Sequence, residues 1–301
     1  MFSVVIPTAN RADILDQSLE YVFALRGIEE DEVIVVDDGS NDHTPQVLEK
    51  HRRRHDSLLK IIRQQNSGPG AARNRGVREA RSELIAFMDD DVFPDPNLLE
   101  NHARLLAQGF DVSQGLLFWH PTLKNQRFIK FLENRKGQFS FDRVTEAGEL
   151  SFLQIYTANL VMKKSDFLDC GGFDQSFARK RYAFEDTALG YKLKQKGLRL
   201  GLNKEAWAWH LHPITETEFI AREYKVGYAA GVLLADYPDI ARELRIGRKF
   251  RWVSGQMHLL RLLFKIRRLD RLIGYGLDLR FRAREAFLRG LHEYRLERRK
   301  R

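Results

Sequence analysis

The sequence predicts an α/β protein, with a mostly parallel central sheet carrying helices on both faces and a helical, basic extension at the C-terminal end. Three observations predict it. Short apolar runs alternate with segments of helical periodicity, polar clusters rich in Asp and Gly follow those runs, and charge is divided unevenly along the 301 residues. Strands separated by helices of about ten residues imply parallel pairing, because a crossover helix must return the chain before the next strand begins.

Phe2 to Ile6 is an apolar run expected to form the first strand, ended by Pro7, and Asp13 to Leu25 carries apolar residues at helical spacing. Glu32 to Val36 is the next strand, and Thr44 with Pro45 has the form of an N-cap followed by a first-turn proline, opening a helix over Gln46 to His55. Leu58 to Ile62 begins a third unit, in which the Gly-rich loop Ser67 to Gly70 leads into a helix over Ala71 to Arg81. Leu84 to Met88 is a fourth continuous apolar strand. Much later, Thr187 to Lys196 reads as a helix closed by Gly197, and Trp207 to His210 as an alternating strand.

Composition sets the broad class. Hydrophobic residues at 43% and charged residues at 30% are ordinary for a globular protein, without low-complexity tracts or repeats. The single Cys170 excludes an intramolecular disulfide, and Met1 leads into the first apolar run without a basic targeting region, so a reducing cytoplasm is expected. No stretch reaches the roughly 18 uncharged apolar residues that a membrane-spanning helix needs. From Ala241 to Arg301 there are 19 Lys and Arg against 6 Asp and Glu, a balance of +13, whereas the whole chain carries +9. A mildly acidic body therefore precedes a basic tail suited to an anionic surface. The expected division is an α/β domain over residues 1–215 and a helical basic extension over 216–301.

In open parallel sheets, ligands bind beyond the carboxyl ends of the strands. The polar clusters fall there: Asp37-Asp38-Gly39-Ser40 after the second strand, Asn66 to Gly70 after the third, and Asp89-Asp90-Asp91 after the fourth. Each alone is ordinary turn chemistry. Three aspartates directly after a buried strand repel one another unless a cation compensates them, and hard oxygen ligands at such a place suit Mg2+ or Mn2+ completed by a diphosphate. Farther on, Gly171-Gly172-Phe173-Asp174 forms a tight turn, and Glu185-Asp186 opens a helix, where the helix dipole also favours acids.

The ordered set of Val4-Val5-Ile6-Pro7-Thr8, Val36-Asp37-Asp38-Gly39-Ser40, Gly70-Ala71-Ala72-Arg73-Asn74-Arg75-Gly76, Met88-Asp89-Asp90-Asp91, Gly171-Gly172-Phe173-Asp174 and Glu185-Asp186 resembles family-2 glycosyltransferases. The resemblance covers about residues 2–212. It implies a GT-A fold and a metal-assisted, inverting transfer of sugar from a nucleotide diphosphate, by family frequency uridine diphosphate, to a glycan or lipid-linked acceptor. It further implies that Asp38, with Asp37, contacts the nucleoside, that Pro7 and Thr8 line its pocket, and that Arg73 lies on the same side. Asp89, Asp90 and Asp91 form the DxD region, with Asp89 toward the ribose or donor sugar and Asp91 on the Mn2+ or Mg2+. His210, or His212 two residues on, matches the histidine that completes the metal site. Asp186 matches the general base, with Glu185 and Gly172 near the substrates.

Two other classes compete. A sugar nucleotidyltransferase also joins an α/β sheet to aspartate-bound metal, but would carry a Gly-rich basic loop after the first strand, where this chain has Pro7-Thr8-Ala9-Asn10-Arg11. A non-catalytic protein binding nucleic acid or another anionic surface would explain the tail but not the carboxylates, and no zinc, helix-turn-helix or RNA-recognition signature marks the tail, so no nucleic acid is expected. On a helix, Leu259, Leu262, Leu263, Ile266, Leu269 and Ile273 share one face opposite Arg261, Lys265 and Arg268. That layout suits peripheral docking on an anionic membrane, the inner face of the cell membrane being the expected place, and equally suits packing on the catalytic domain or on a second copy.

Overall fold

A computed structural model describes residues 1–123, 126–134, 139, 141, 145, 148–175, 183–243 and 275–299. The chain divides into two compact units, one formed by Met1–Arg179 with Glu185–Pro213 and the other by Lys180–Phe184 with Ile214–Arg301.

The first unit is built on one eight-stranded sheet. In chain order its strands are β1 (Phe2–Thr8), β2 (Glu32–Asp37), β3 (Leu59–Arg63), β4 (Leu84–Met88), β5 (Val92–Pro94), β6 (Val112–Trp119), β7 (Asn159–Lys163) and β8 (Leu200–His210). Their spatial order is β3-β2-β1-β4-β7-β6-β8-β5. The half containing β3, β2, β1 and β4 is parallel, as the alternation of apolar runs and helices requires. The other half is mixed: β7 runs antiparallel to both β4 and β6, β8 is parallel to β6, and β5 is antiparallel to β8.

Both faces of the parallel half are covered, and the strand period of two shows how. Val4 and Ile6 of β1 and Val33 and Val35 of β2 share a core with Leu15, Leu19 and Val22 of α1 (Ala12–Val22). Val5 and Val36 point the other way, toward α3 (Pro69–Glu79), where a side chain at Gly76 would collide with Val5. The glycine is what lets α3 lie close to the sheet.

Local chemistry moves several boundaries. β1 continues through Pro7 to Thr8, because its pairing with β4 stops at Val5 and that neighbour makes no demand on the N–H that proline lacks. Helix α2 (Thr44–Arg54) includes Thr44, and the capping acceptor is Asp42, whose Oδ1 takes the Thr44 backbone N–H at 3.0 Å and its hydroxyl at 2.6 Å. β8 is far longer than the four-residue alternation suggested. Leu200–Asn203 pair with Val112–Gly115, the register then shifts, and Trp207–His210 pair with Leu116–Trp119. Asn159 fills that irregularity, donating from Nδ2 to the carbonyls of Leu116 (3.1 Å) and Ala206 (3.0 Å) while its Oδ1 lies 2.9 Å from His102 Nε2. Burial holds His102 down to about 4, so the imidazole is neutral at neutral pH and links Asn159 to Ser113.

The chain between β4 and β8 adds α4 (Leu98–Ala107), α5 (Arg127–Asn134), α6 (Lys164–Asp169) and α7 (Glu185–Gln195). The second unit contains α8 (Glu216–Asp236), α9 (Pro238–Glu243) and α10 (Tyr275–Arg299). A capping box formed by Thr215 and Glu218 starts α8. α8 and α10 approach backbone to backbone, since a side chain at Gly227 would strike the Phe287 carbonyl and one at Gly290 the Tyr224 carbonyl. The apolar positions Leu259, Leu262, Leu263, Ile266, Leu269 and Ile273, and the opposed Arg261, Lys265 and Arg268, lie outside the described residues. Among the described residues, no helix is long and apolar enough to cross a membrane.

Candidate active site

The carboxyl ends of β1, β2 and β4 meet the far end of β8, and the polar clusters gather there. Thr8 and Asp37 are register partners at the ends of β1 and β2, with Pro7 opposite Val36. Asp37 is buried and closes its own turn, its Oδ1 accepting the Ser40 N–H at 2.9 Å while Oδ2 lies 3.5 Å from Arg63 Nε. Asp38 is buried too, and it organises the loop before α3: Oδ1 accepts from Gln64 Nε2 (2.8 Å) and the Ser67 N–H (2.8 Å), and Oδ2 from the Gly68 N–H (2.7 Å).

The aspartate triad is split by its surroundings. Asp89 is half-buried and forms an ion pair with the buried guanidinium of Arg73. Asp90 accepts the Thr8 hydroxyl at 2.7 Å, yet burial, against the pull of Arg11 and with the push of Asp91, raises its carboxyl to about 7. Burial also opposes ionisation of Asp91, but His210, His212 and Arg11 outweigh it and hold that carboxyl well below the usual range. His210 Nε2 is 3.2 Å from Asp91 Oδ1, and His212 Nδ1 is 3.2 Å from Oδ2. Both histidines therefore reach the same carboxylate, one oxygen each. The antiparallel pairing of Val92 with His210 and the Leu211 N–H donated to the Asp91 carbonyl (2.9 Å) set this approach.

A second acidic group forms at the start of α7. The Asp186 carboxylate is oriented by Thr157, whose hydroxyl donates to Oδ1 at 2.7 Å and whose N–H donates to Oδ2 at 3.3 Å. Burial raises Asp186 above the usual aspartate range against the pull of Arg73, and burial together with the Asp186 charge raises Glu185 to about 7. Arg73 thus joins the two acidic groups, bonded to Asp89 and acting on Asp186 and Glu185. It rests over the Phe173 ring, with its guanidinium carbon 5.5 Å from the centroid. The turn at Gly171-Gly172 supplies that ring. Gly172 has φ 57, a side chain there would lie 2.6 Å from Asn74 Oδ1, and Asn74 holds both the N–H and the carbonyl of Phe173.

The candidate site residues expected from the sequence therefore lie on this edge of the sheet or directly support it. Two partners had not been assigned a place in the site, Arg11, bound to Asp90 and Asp91, and Thr157, bound to Asp186, while Phe173, named only as part of the glycine turn, lies beneath Arg73. Arg11 alone carried a signal, a lone basic residue in the loop leaving a strand whose neighbour ends in three aspartates.

The model of glycosyl transferase family 2 matches residues 3–165, more than half of the chain. Validoxylamine A glucosyltransferase from Streptomyces hygroscopicus subsp. jinggangensis is 28% identical over 233 residues, 69% of this chain and 54% of that protein. The pre-mycofactocin glycosyltransferase of Mycobacterium tuberculosis is 28% identical over 264 residues, 83% of this chain and 52% of that one. The chain thus spans about half the length of the curated relatives it matches. Among solved structures, a mannosyltransferase from Pyrobaculum calidifontis in complex with GDP-Man and Mn2+ superposes with a TM-score of 0.59 at 20% identity, covering 77% of this chain and 64% of its own. Residues 1–349 of S. aureus TarS, in complex with UDP-GlcNAc, give 0.56 at 17% identity over 98% and 92% of the two chains. Identities this low establish the shared GT-A fold, and the family assignment comes from the sequence match. With the motifs in order along one sheet edge and the family model covering all of them as far as β7, the chain belongs to glycosyl transferase family 2.

Proposed function

We propose that the chain transfers a sugar from a nucleoside diphosphate donor to a hydroxyl of a glycan or lipid-linked acceptor, with inversion at the anomeric carbon. The observation that carries this reading is the convergence, at one sheet edge, of a buried aspartate-histidine pair of a kind suited to a cation and a separately held carboxylate. Asp91 Oδ1 is buried without a hydrogen-bond partner and faces His210 Nε2, which fits one hard oxygen and one imidazole ligand to a divalent cation. Mn2+ or Mg2+ held by Asp91 and His210, with His212 as the alternative nitrogen, would offset the negative charge that builds on the leaving diphosphate.

The other residues have roles that follow from their contacts. Asp186 accepts the proton of the acceptor hydroxyl as that oxygen attacks, and Thr157 aims the carboxylate. Burial favours this by moving Asp186 toward the pH at which it works. Arg73 balances Asp89 and the base pair of acids, so the donor sugar would lie along it, near Glu185 and the Gly172 turn. Thr8, Pro7, Asp37 and Asp38 line the nucleoside end, Asp38 acting through the loop it orders, and Thr8 fixes Asp90. Uridine diphosphate is the expected nucleotide. The basic C-terminal region would place the enzyme on an anionic membrane surface or join two copies.

A thermal-shift series with UDP, GDP and dTDP, with and without Mn2+, tests the donor site, since a ligand bound only by the folded chain raises its melting temperature. Stabilisation by one diphosphate in a Mn2+-dependent manner, followed by turnover of the matching nucleotide sugar, is expected. No shift with any of the three would remove the reading.

A further inference from the structure

Arg11 sits at the N-cap position of α1, yet its side chain makes no cap. It crosses to the aspartate loop instead, where Nη2 donates to Asp91 Oδ2 at 2.6 Å and Nε stands 3.4 Å from Asp90 Oδ1. The turn that aims it is held on purpose-built contacts. Asn10 has φ 55, uncommon for a residue with a side chain, and it is fixed by donating its N–H to Ser40 Oγ (2.9 Å) and by accepting the Asn41 N–H at Oδ1 (2.8 Å). Next to it the Ala12 N–H is bound by Asp42 Oδ2 at 3.2 Å.

The layering of charge is informative. The Arg11 side chain is 31% exposed, whereas those of Asp90 and Asp91 are 7% and 3% exposed. The guanidinium is therefore the outer member of the group, with the carboxylates beneath it. A guanidinium carries five N–H donors in a planar fork. Nη2 donates and Nε is ion-paired, and Nη1 makes no hydrogen bond to the described residues. Merely neutralising Asp90 and Asp91 does not use the remaining donors of this partly exposed side chain.

We propose that Arg11 is a catalytic residue of the donor site, binding the diphosphate of the nucleotide sugar through the donors its pairing with Asp90 and Asp91 leaves over. This rests on the reading of the chain as a nucleotide-sugar transferase. Asp91 is the shared element: Oδ1 faces His210, where a cation fits, and Oδ2 is held by Arg11, so the guanidinium flanks that place from the opposite oxygen. A diphosphate that meets the cation has a second phosphate with which to meet Arg11, and guanidinium and phosphate match as bidentate partners. The residue also removes an obstacle, because the uncovered aspartates would repel an incoming diphosphate. In the transfer, the bond from the acceptor oxygen to the anomeric carbon forms, the acceptor proton passes to Asp186, and the bond from the anomeric carbon to the phosphate oxygen breaks with its electron pair left on that oxygen. Arg11 stabilises this last charge.

Calorimetry at saturating Mn2+ on wild type, Arg11→Gln and Arg11→Lys tests it, with UDP and GDP as probes, uridine and guanosine as phosphate-free controls, and Mn2+ titrated alone. Losing a charge-assisted pair should weaken the bound diphosphate about tenfold or more in Arg11→Gln and less in Arg11→Lys. Nucleoside binding should be unchanged, and Mn2+ alone should bind as tightly as before or more tightly. If Arg11→Gln binds diphosphate like wild type, or if Mn2+ and diphosphate affinity fall together, Arg11 only holds Asp91 and the proposal is wrong. Should Arg11→Gln not fold, Arg11→Lys decides alone, by losing diphosphate affinity without losing Mn2+. A wild type that binds neither diphosphate overturns the transferase reading itself, a result separable from one in which wild type binds and the variants bind equally.

Discussion

Replacing Glu185 with Gln should stabilise the protein at alkaline pH and leave its stability almost unchanged at acid pH. In the folded chain this carboxyl is raised from an ordinary 4.5 to about 7, by burial first and by the neighbouring Asp186 second, and its Oε1 is buried without a hydrogen-bond partner. A carboxyl raised on folding binds its proton more tightly in the folded state. Its contribution is therefore fully present below pH 4.5 and is lost as pH rises through about 7. At 1.36 kcal/mol per unit, the shift corresponds to about 3 kcal/mol as an upper limit, and partial exposure of the residue lowers the expectation to roughly 2 kcal/mol. Urea unfolding of wild type and Glu185→Gln at pH 4, 6 and 8 measures this directly. The two curves should nearly coincide at pH 4, and the variant should be more stable at pH 8. A stability difference that is the same at all three values would show that the glutamate carries no folding-linked proton, and the argument from burial would be refuted.

Other consequences are as direct. Asp91→Ala should abolish Mn2+ binding and donor turnover while keeping the circular-dichroism spectrum, and full turnover in excess chelator would contradict the assignment of Asp91. Asp186→Asn keeps the shape of the base without its basicity, so nucleotide-sugar affinity should hold while transfer falls by about 10²-fold or more, read from single-turnover rates. Thr157→Val removes two-centre support that favours the ionised form of Asp186, leaving only the backbone N–H at 3.3 Å, so the acid limb of the kcat profile should move to higher pH. Gly227→Val drives a side chain into the Phe287 carbonyl and should cost about 2 kcal/mol or more by forcing α8 and α10 apart, visible as a lower melting temperature.

Much of the parallel half of the sheet could be read from residue order, because there each apolar run is a whole strand and each helix a whole crossover. β2, β4 and their neighbours needed only periodicity. The mixed half was illegible for a physical reason: β7 inserts antiparallel between β4 and β6, and a pairing between Ile85 and Met162 leaves no local trace in either segment. β8 was seen only at its end, because Asn203 and Glu205 break the alternation at an irregularity whose carbonyls are taken up by Asn159, some forty residues away. The site followed the same division. Carboxylates showed themselves because acids after an apolar strand demand compensation, whereas Thr157 looks like an ordinary neighbour until α7 is brought to it.

The pairing that seats His210 against Asp91 also sets a schedule for synthesis. The two residues are separated by more than a hundred positions, and the family match ends at residue 165, before either histidine and before Asp186. At about 5–20 residues per second, a ribosome exposes the three aspartates on the order of ten seconds before the strand that brings their histidines. During that interval β4 already has β1 to pair with, and Arg11 and Arg73 are the only described cations that contact the acidic loop. The two arginines can thus serve the nascent chain as temporary counter-ions, letting the parallel half consolidate while the half that brings His210 and His212 to Asp91 is still unmade.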